Sequence, residues 1–133
     1  MKKIMTAFIA ALLLTACGQS KEQQDLKQIL TEKFKDDSDL KDYKLKPEDI
    51  AECVVSNIAQ DAPPIPGDPK RDRYFAAFTK FAAAKSPTDA EQAVKDYQDL
   101  FGGVKEARAA ANSVTDHIMS CMGKAIEKAT PEQ

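Results

Sequence analysis

The chain has 133 residues and a formal net charge of −2, with 19 Lys and Arg against 21 Asp and Glu. Lys2 and Lys3 lie in a leading stretch that holds no acid, so taking them from the 19 leaves 17 basic side chains against all 21 acidic ones. That mild acidic balance argues against a nucleic-acid binder, which carries a clustered basic surface. The lack of Trp, only 5 Gly and much Ala, Lys, Glu and Asp favour helices over a sheet.

Met1-Lys2-Lys3 is a basic start, and Ile4 to Leu14 is an apolar run broken only by Thr6. A membrane-spanning helix needs about 20 apolar residues, so this run reads as a targeting segment. It closes on Leu14-Thr15-Ala16-Cys17. Apolar Leu14, small Thr15 and Ala16, then Cys17, form a stretch that resembles the lipobox of bacterial lipoprotein precursors. The resemblance implies cleavage before Cys17, a thioether-linked diacylglycerol on its sulfur, and an acylated amine. One acyl chain holds a protein marginally, whereas two or three hold it stably. In enterobacteria-like lipoproteins Gly18 in place of an Asp implies the outer membrane, facing the periplasm, with the inner membrane as the alternative. A secretory signal cut after Ala16 and an uncleaved anchor are the other readings of this leader. The expected organisation is a signal peptide over 1–16, lipidated Cys17 with a flexible tether over 17–21, and a helical domain over 22–133. About 115 mature residues suffice for one domain.

From Glu22 the pattern turns helical: Leu26, Ile29, Leu30 and Phe34 share one face. Asp36-Asp37-Ser38-Asp39 is expected to end this helix as a solvated turn; it lacks the Gly and distal Glu of an EF-hand loop. Three later helices share one start signal, since Pro suits the first helical position. Lys46-Pro47, Asp68-Pro69 and Ser86-Pro87 carry it, with Asp68 and Ser86 as N-caps, or Thr88 with Glu91 as a capping box one step later. The second helix is expected over 47–60 with Ile50, Cys53, Val54 and Ile58 buried, and 61–68 (DAPPIPGD) as a stiff connector or a presented recognition loop.

The third helix, 69–85, carries an aromatic stripe of Tyr74, Phe75, Phe78 and Phe81 among small Ala residues. Such a stripe is core, or else a groove for a partner helix or a lipid chain. Lys70, Arg71 and Arg73 oppose the dipole at its start. They read as contacts for anionic headgroups or as solvated charge balanced by Asp68 and Asp72. The fourth helix, 87–101, should turn Ala90, Val94, Tyr97 and Phe101 inward and end at Gly102-Gly103. The last, 104–129, buries Ala107, Ala111, Val114, Ile118, Cys121, Met122 and Ile126, and 130–133 is a frayed tail.

Cys53 and Cys121 each lie on an apolar helix face. With Cys17 consumed by lipid, an oxidising compartment favours their pairing, which sets the two helices side by side. The alternative is a metal held by Cys53, His117 and Cys121, since His117 and Cys121 are four apart on one helix and soft sulfur suits Cu(I). No cofactor is otherwise implied. His117 with Ser113 or Ser120 lacks the orienting acid and oxyanion site of a triad. Glu48 and Glu52 form an acidic pair on an exposed face, where carboxylates stay solvated. No catalytic residue is assigned.

The reading that follows is an all-α fold, a compact bundle of four or five helices pinned by Cys53–Cys121, preceded by a cleaved signal peptide. It points to a non-catalytic envelope lipoprotein, anchored in the membrane through Cys17, that binds or assists a protein partner at the periplasmic face of the outer membrane. Pilotin lipoproteins of secretion systems have a similar plan, being small, helical, disulfide-bearing and lipid-anchored, although no pilotin motif is matched. The alternative is a carrier of a small molecule or lipid, with an apolar cavity beside the aromatic stripe.

Overall fold

Residues 18–130 are described by the computed structural model. The expected signal peptide over 1–16, Cys17 itself and the tail residues 131–133 lie outside the described residues. Six helices follow one another: α1 (Lys21–Phe34), α2 (Ser38–Asp42), α3 (Pro47–Asp61), α4 (Pro69–Ala83), α5 (Pro87–Phe101) and α6 (Val104–Ala129). Among the described residues there is no strand. The five long helices are those read from the sequence.

Helix α1 begins at Lys21, inside the stretch expected to be a flexible tether. Ser20 makes this possible: its hydroxyl accepts from Gln23 N–H, and Gln23 Oε1 accepts from Ser20 N–H at 3.0 Å. This reciprocal capping box satisfies two otherwise orphaned donors. The sequence signal is Ser20 with Gln three residues on. Leu26, Leu30 and Phe34 are buried below it.

The acidic cluster at 36–39 is not merely a solvated turn. Asp37 accepts from the N–H groups of Asp39 and Leu40 and so caps the short α2, which buries Leu40. Lys44 closes this segment with φ 55, and Leu45 N–H returns to Leu40 C=O at 2.8 Å. Helices α3, α4 and α5 all begin on the expected prolines, and Asp68 and Ser86 cap α4 and α5. Ser86, not Thr88, is the cap of α5. Its partner in the rejected box, Glu91, instead pairs with Arg108 of α6.

Chain direction alternates through the five long helices. Lys33 near the end of α1 donates to Ala82 C=O near the end of α4, and Arg73 near the start of α4 pairs with Asp99 near the end of α5. Helix α1 packs on α3 and α4, and α6 packs on α3, α4 and α5. One end of the bundle therefore holds the 62–68 connector and the Gly102-Gly103 turn. The other holds α2, the α4–α5 turn and the end of α6. Gly102, at φ 90, ends α5 while Gly103 N–H bonds Gln98 C=O at 2.9 Å, a left-handed cap that suits glycine.

The core is shared between helices. Ile50, Val54 and Ile58 are buried as the pattern implies, and Ala51 and Val55 join them because α3 is covered on two sides, by α1 and by α6. On α5, Ala93 is buried while Ala90 is only half-buried. The disulfide closes between α3 and α6: Cys53 and Cys121 are covalently joined with Cα atoms 5.9 Å apart.

Candidate functional site

Three places carry the residues singled out in the sequence. The first is the disulfide. Cys121 is 2% exposed, and Asn57 Nδ2 donates to its sulfur at 3.4 Å. Both sulfurs are bonded to each other, so neither is a thiolate free to ligate. This displaces the Cys53, His117 and Cys121 metal arrangement, because the thiolate form is what binds metal. Among the described residues no group of three His, Cys, Asp or Glu side chains is placed to hold a metal ion. Met119 is exposed, turned away from the Cys121 face, while Met122 is half-buried. Ser113 donates its hydroxyl to Ala110 C=O at 2.7 Å, which spends it on its own helix rather than on His117.

The second place is the aromatic stripe. Phe75, Phe78 and Phe81 are buried, at 0, 2 and 8% exposure, and only Tyr74 is half-buried. They do not form a presented surface. Their rings meet one another and those of α5. The Phe78 centroid lies 4.9 Å from Tyr74, 5.7 Å from Phe81 and 6.1 Å from Phe101, and Phe81 meets Tyr97 edge-on at 6.4 Å. Spacings of this kind are those of favourable aromatic pairs. Tyr97 and Phe101, whose register on α5 brings them over the stripe, pack against Phe78 and Phe81 on the side where the carrier alternative places its cavity. Burial pushes the Tyr74 phenol up to about 12, and the Asp61 carboxylate acts in the same direction.

The basic residues at the start of α4 are also committed. Arg71 donates to Pro63 C=O at 2.7 Å and lies over the Phe75 ring at 5.1 Å. Arg73 makes two bonds to Asp99, at 2.9 and 3.2 Å, which hold the Asp99 carboxyl below the usual carboxylate range. Neither Asp68 nor Asp72 forms an ion pair with these basic residues among the described residues, and Asp68 caps α4, accepting from Lys70 N–H at 2.8 Å. Lys70 and Arg73 are both exposed, and Lys70 has no ion-pair partner among the described residues.

The third place is the entry to the domain. Gln19 Nε2 donates to Glu52 Oε1 at 2.7 Å, Lys27 pairs with the other oxygen, and Ser20 caps α1. Only Gly18 separates Cys17 from this fixed point. Glu52 is thus spent on the entry, not poised with Glu48 for acid–base work. The connector between α3 and α4 is a built turn. Ile65 C=O accepts from Asp68 N–H at 3.2 Å, Pro66 fills the second position, and Gly67 takes φ 80. Pro then Gly at these positions is the signature of a type II turn. It leaves Ile65 63% exposed.

A groove that sequence reasoning missed flanks the disulfide, with a volume of about 440 Å³. Leu45, Ile50 and Ala125 give it apolar walls, and Lys46, Lys124 and Lys128 rim it together with Asp49. The signal was present only across the chain, because the lysines come from both partners of the cysteine bridge. No helix among the described residues is long and apolar enough to cross a membrane. Comparison with protein-family models, with characterised proteins and with solved structures finds no significant match.

Proposed function

We propose that the chain is a lipid-anchored bacterial envelope protein, attached through Cys17, that binds or assists a protein partner at the periplasmic face of the outer membrane without catalysing a reaction. The observation that carries this is Leu14-Thr15-Ala16-Cys17, lying immediately ahead of a folded helical domain. The Cys53–Cys121 bridge supports the address, since such bonds persist in oxidising compartments. Partner binding, rather than cargo carriage, is supported by the aromatic stripe packing ring on ring. The lysine-rimmed groove is where we place the partner. Its three ammonium groups against the one Asp49 carboxylate, over apolar walls, suit a segment with an apolar face and acidic flanks.

The test is crosslinking in intact envelopes with a photoreactive residue at Ala125, followed by capture of the mature protein. One specific protein, lost when the crosslinker is moved to Met119 on an outward face, supports the reading. A clean protein blank with co-purified lipid overturns it in favour of carriage.

A further inference from the structure

We infer that the end of α6, Lys124–Ala129, is a hinged wall of the lysine-rimmed groove, opening at Gly123 to admit the partner segment. This rests on the partner site proposed above.

Closed, the groove offers a partner little apolar surface. Ile50 lines it but is only 2% exposed, and Leu45 and Ala125 are half-buried. Docking gains from apolar area that water reaches beforehand, so Ile50 contributes only when a wall moves. The α3 wall is fixed, because α3 lies between α1 and α6 with Ala51, Val54 and Val55 buried. The α6 wall is held differently. The buried positions of α6 are Ala107, Val114 and Cys121, and the next step of the same spacing falls on exposed Lys128. Beyond Cys121 nothing on α6 is fully buried: Met122, Ala125 and Ile126 are half-buried and the rest are exposed. Thr130 donates its N–H and its hydroxyl to Ile126 C=O, within the same helix. Among the described residues, no ion pair or side-chain hydrogen bond ties 122–130 to another element.

Gly123 stands where the anchored and unanchored parts of α6 meet. A Cβ built there would meet nothing within 4 Å, and its backbone is not left-handed. Neither close packing nor conformation therefore requires glycine at this position. Its physical effect is to weaken the helix, since glycine inside a helix favours opening relative to alanine. The Cys53–Cys121 bond clamps α6 just before it. An opening that starts at Gly123 thus stops at Cys121 and leaves the bundle intact. The lysines give the opened state its ligand. Lys124 and Lys128 ride on the moving wall, and Lys46 stands on the fixed one. An acidic segment between them is a counterion to both walls, while its apolar face meets Leu45 and Ile50.

The experiment is amide hydrogen exchange on the mature protein, wild type against Gly123→Ala. Corrected for intrinsic rates, residues 124–130 should exchange roughly tenfold faster than 108–120, or more. Gly123→Ala should slow 124–130 by about fivefold, the helix-propensity difference between the two residues, and leave 108–120 unchanged. Equal protection on both sides of Gly123, or a variant that slows both sides alike, overturns the hinge while the partner site stands. The photoreactive residue at Ala125 supplies the second readout, at an expression level where capture in envelopes is proportional to it. There Gly123→Ala should lower capture by about fivefold, because the binding-competent open state is rarer by that factor. Undiminished capture overturns the hinge. A wild type that captures no protein overturns the partner site, and this inference with it.

Discussion

Cys53 on α3 and Cys121 on α6 are joined across the bundle, 68 residues apart in sequence, and their bond fixes the second helix read from the sequence against the last. Closing a segment of that length removes denatured-state entropy worth roughly 4 kcal/mol. A domain of this size has a total stability of about 5–15 kcal/mol, so the bond supplies a large share of it. The paired variant Cys53→Ser with Cys121→Ser should lose about 3–4 kcal/mol in denaturant unfolding, with far-ultraviolet dichroism retained at zero denaturant. Reductant should lower the wild-type midpoint similarly and leave that of the variant unchanged.

The aromatic stripe is a packing element, and truncating it should behave so. Phe78 is buried against Tyr74, Phe81 and Phe101. Phe78→Ala should cost about 3–5 kcal/mol, as removal of a buried ring does. A loss below 1 kcal/mol would show the ring to be a surface feature after all.

Tyr74 carries an alkaline limb. Its phenol titrates about 12 when folded and near its ordinary 10.0 when unfolded. The folded state therefore holds the proton more tightly, and the unfolded state binds fewer protons in between. The stabilisation is complete below pH 10 and is lost as pH rises from about 10 to 12. Lysines also titrate there, so the measurement is a difference: Tyr74→Phe should flatten the fall in unfolding free energy over that window relative to wild type. Parallel slopes would contradict it.

Gly67 is the position in the connector where backbone geometry demands glycine. Its φ is +80, and a Cβ built there would meet nothing within 4 Å. The cost of Gly67→Ala is thus a backbone cost alone, about 1–2 kcal/mol for forcing an L-residue into the left-handed region. Chemical denaturation should show a lower midpoint with an unchanged slope, since no buried surface is altered.

Much of this architecture was legible in the chain because its signals are local. Pro47, Pro69 and Pro87 mark helix starts, Gly102 marks an end, and Leu26, Leu30 and Phe34 mark a buried face. The cysteine pair was legible from the apolar helix faces that carry Cys53 and Cys121, with the lipobox resemblance setting Cys17 aside. What escaped depends on which helices become neighbours. Ala51 and Val55 are buried because α3 is sandwiched, and the stripe on α4 is closed by Phe101 and Tyr97 from α5. Arg73 finds Asp99 across 26 residues rather than the nearer Asp68. The start of α1 was a local signal passed over: Ser20 and Gln23 form a capping box in a stretch whose small polar composition reads as a tether.

Partition of the mature protein between membrane and soluble envelope fractions, wild type against Cys17→Ser, tests the central claim most directly. Wild type should sediment with membranes, and Cys17→Ser should appear as a folded, disulfide-bonded soluble domain outside the cytoplasm. A Cys17→Ser protein that stays in the membrane fraction unchanged would contradict a lipid anchor at Cys17.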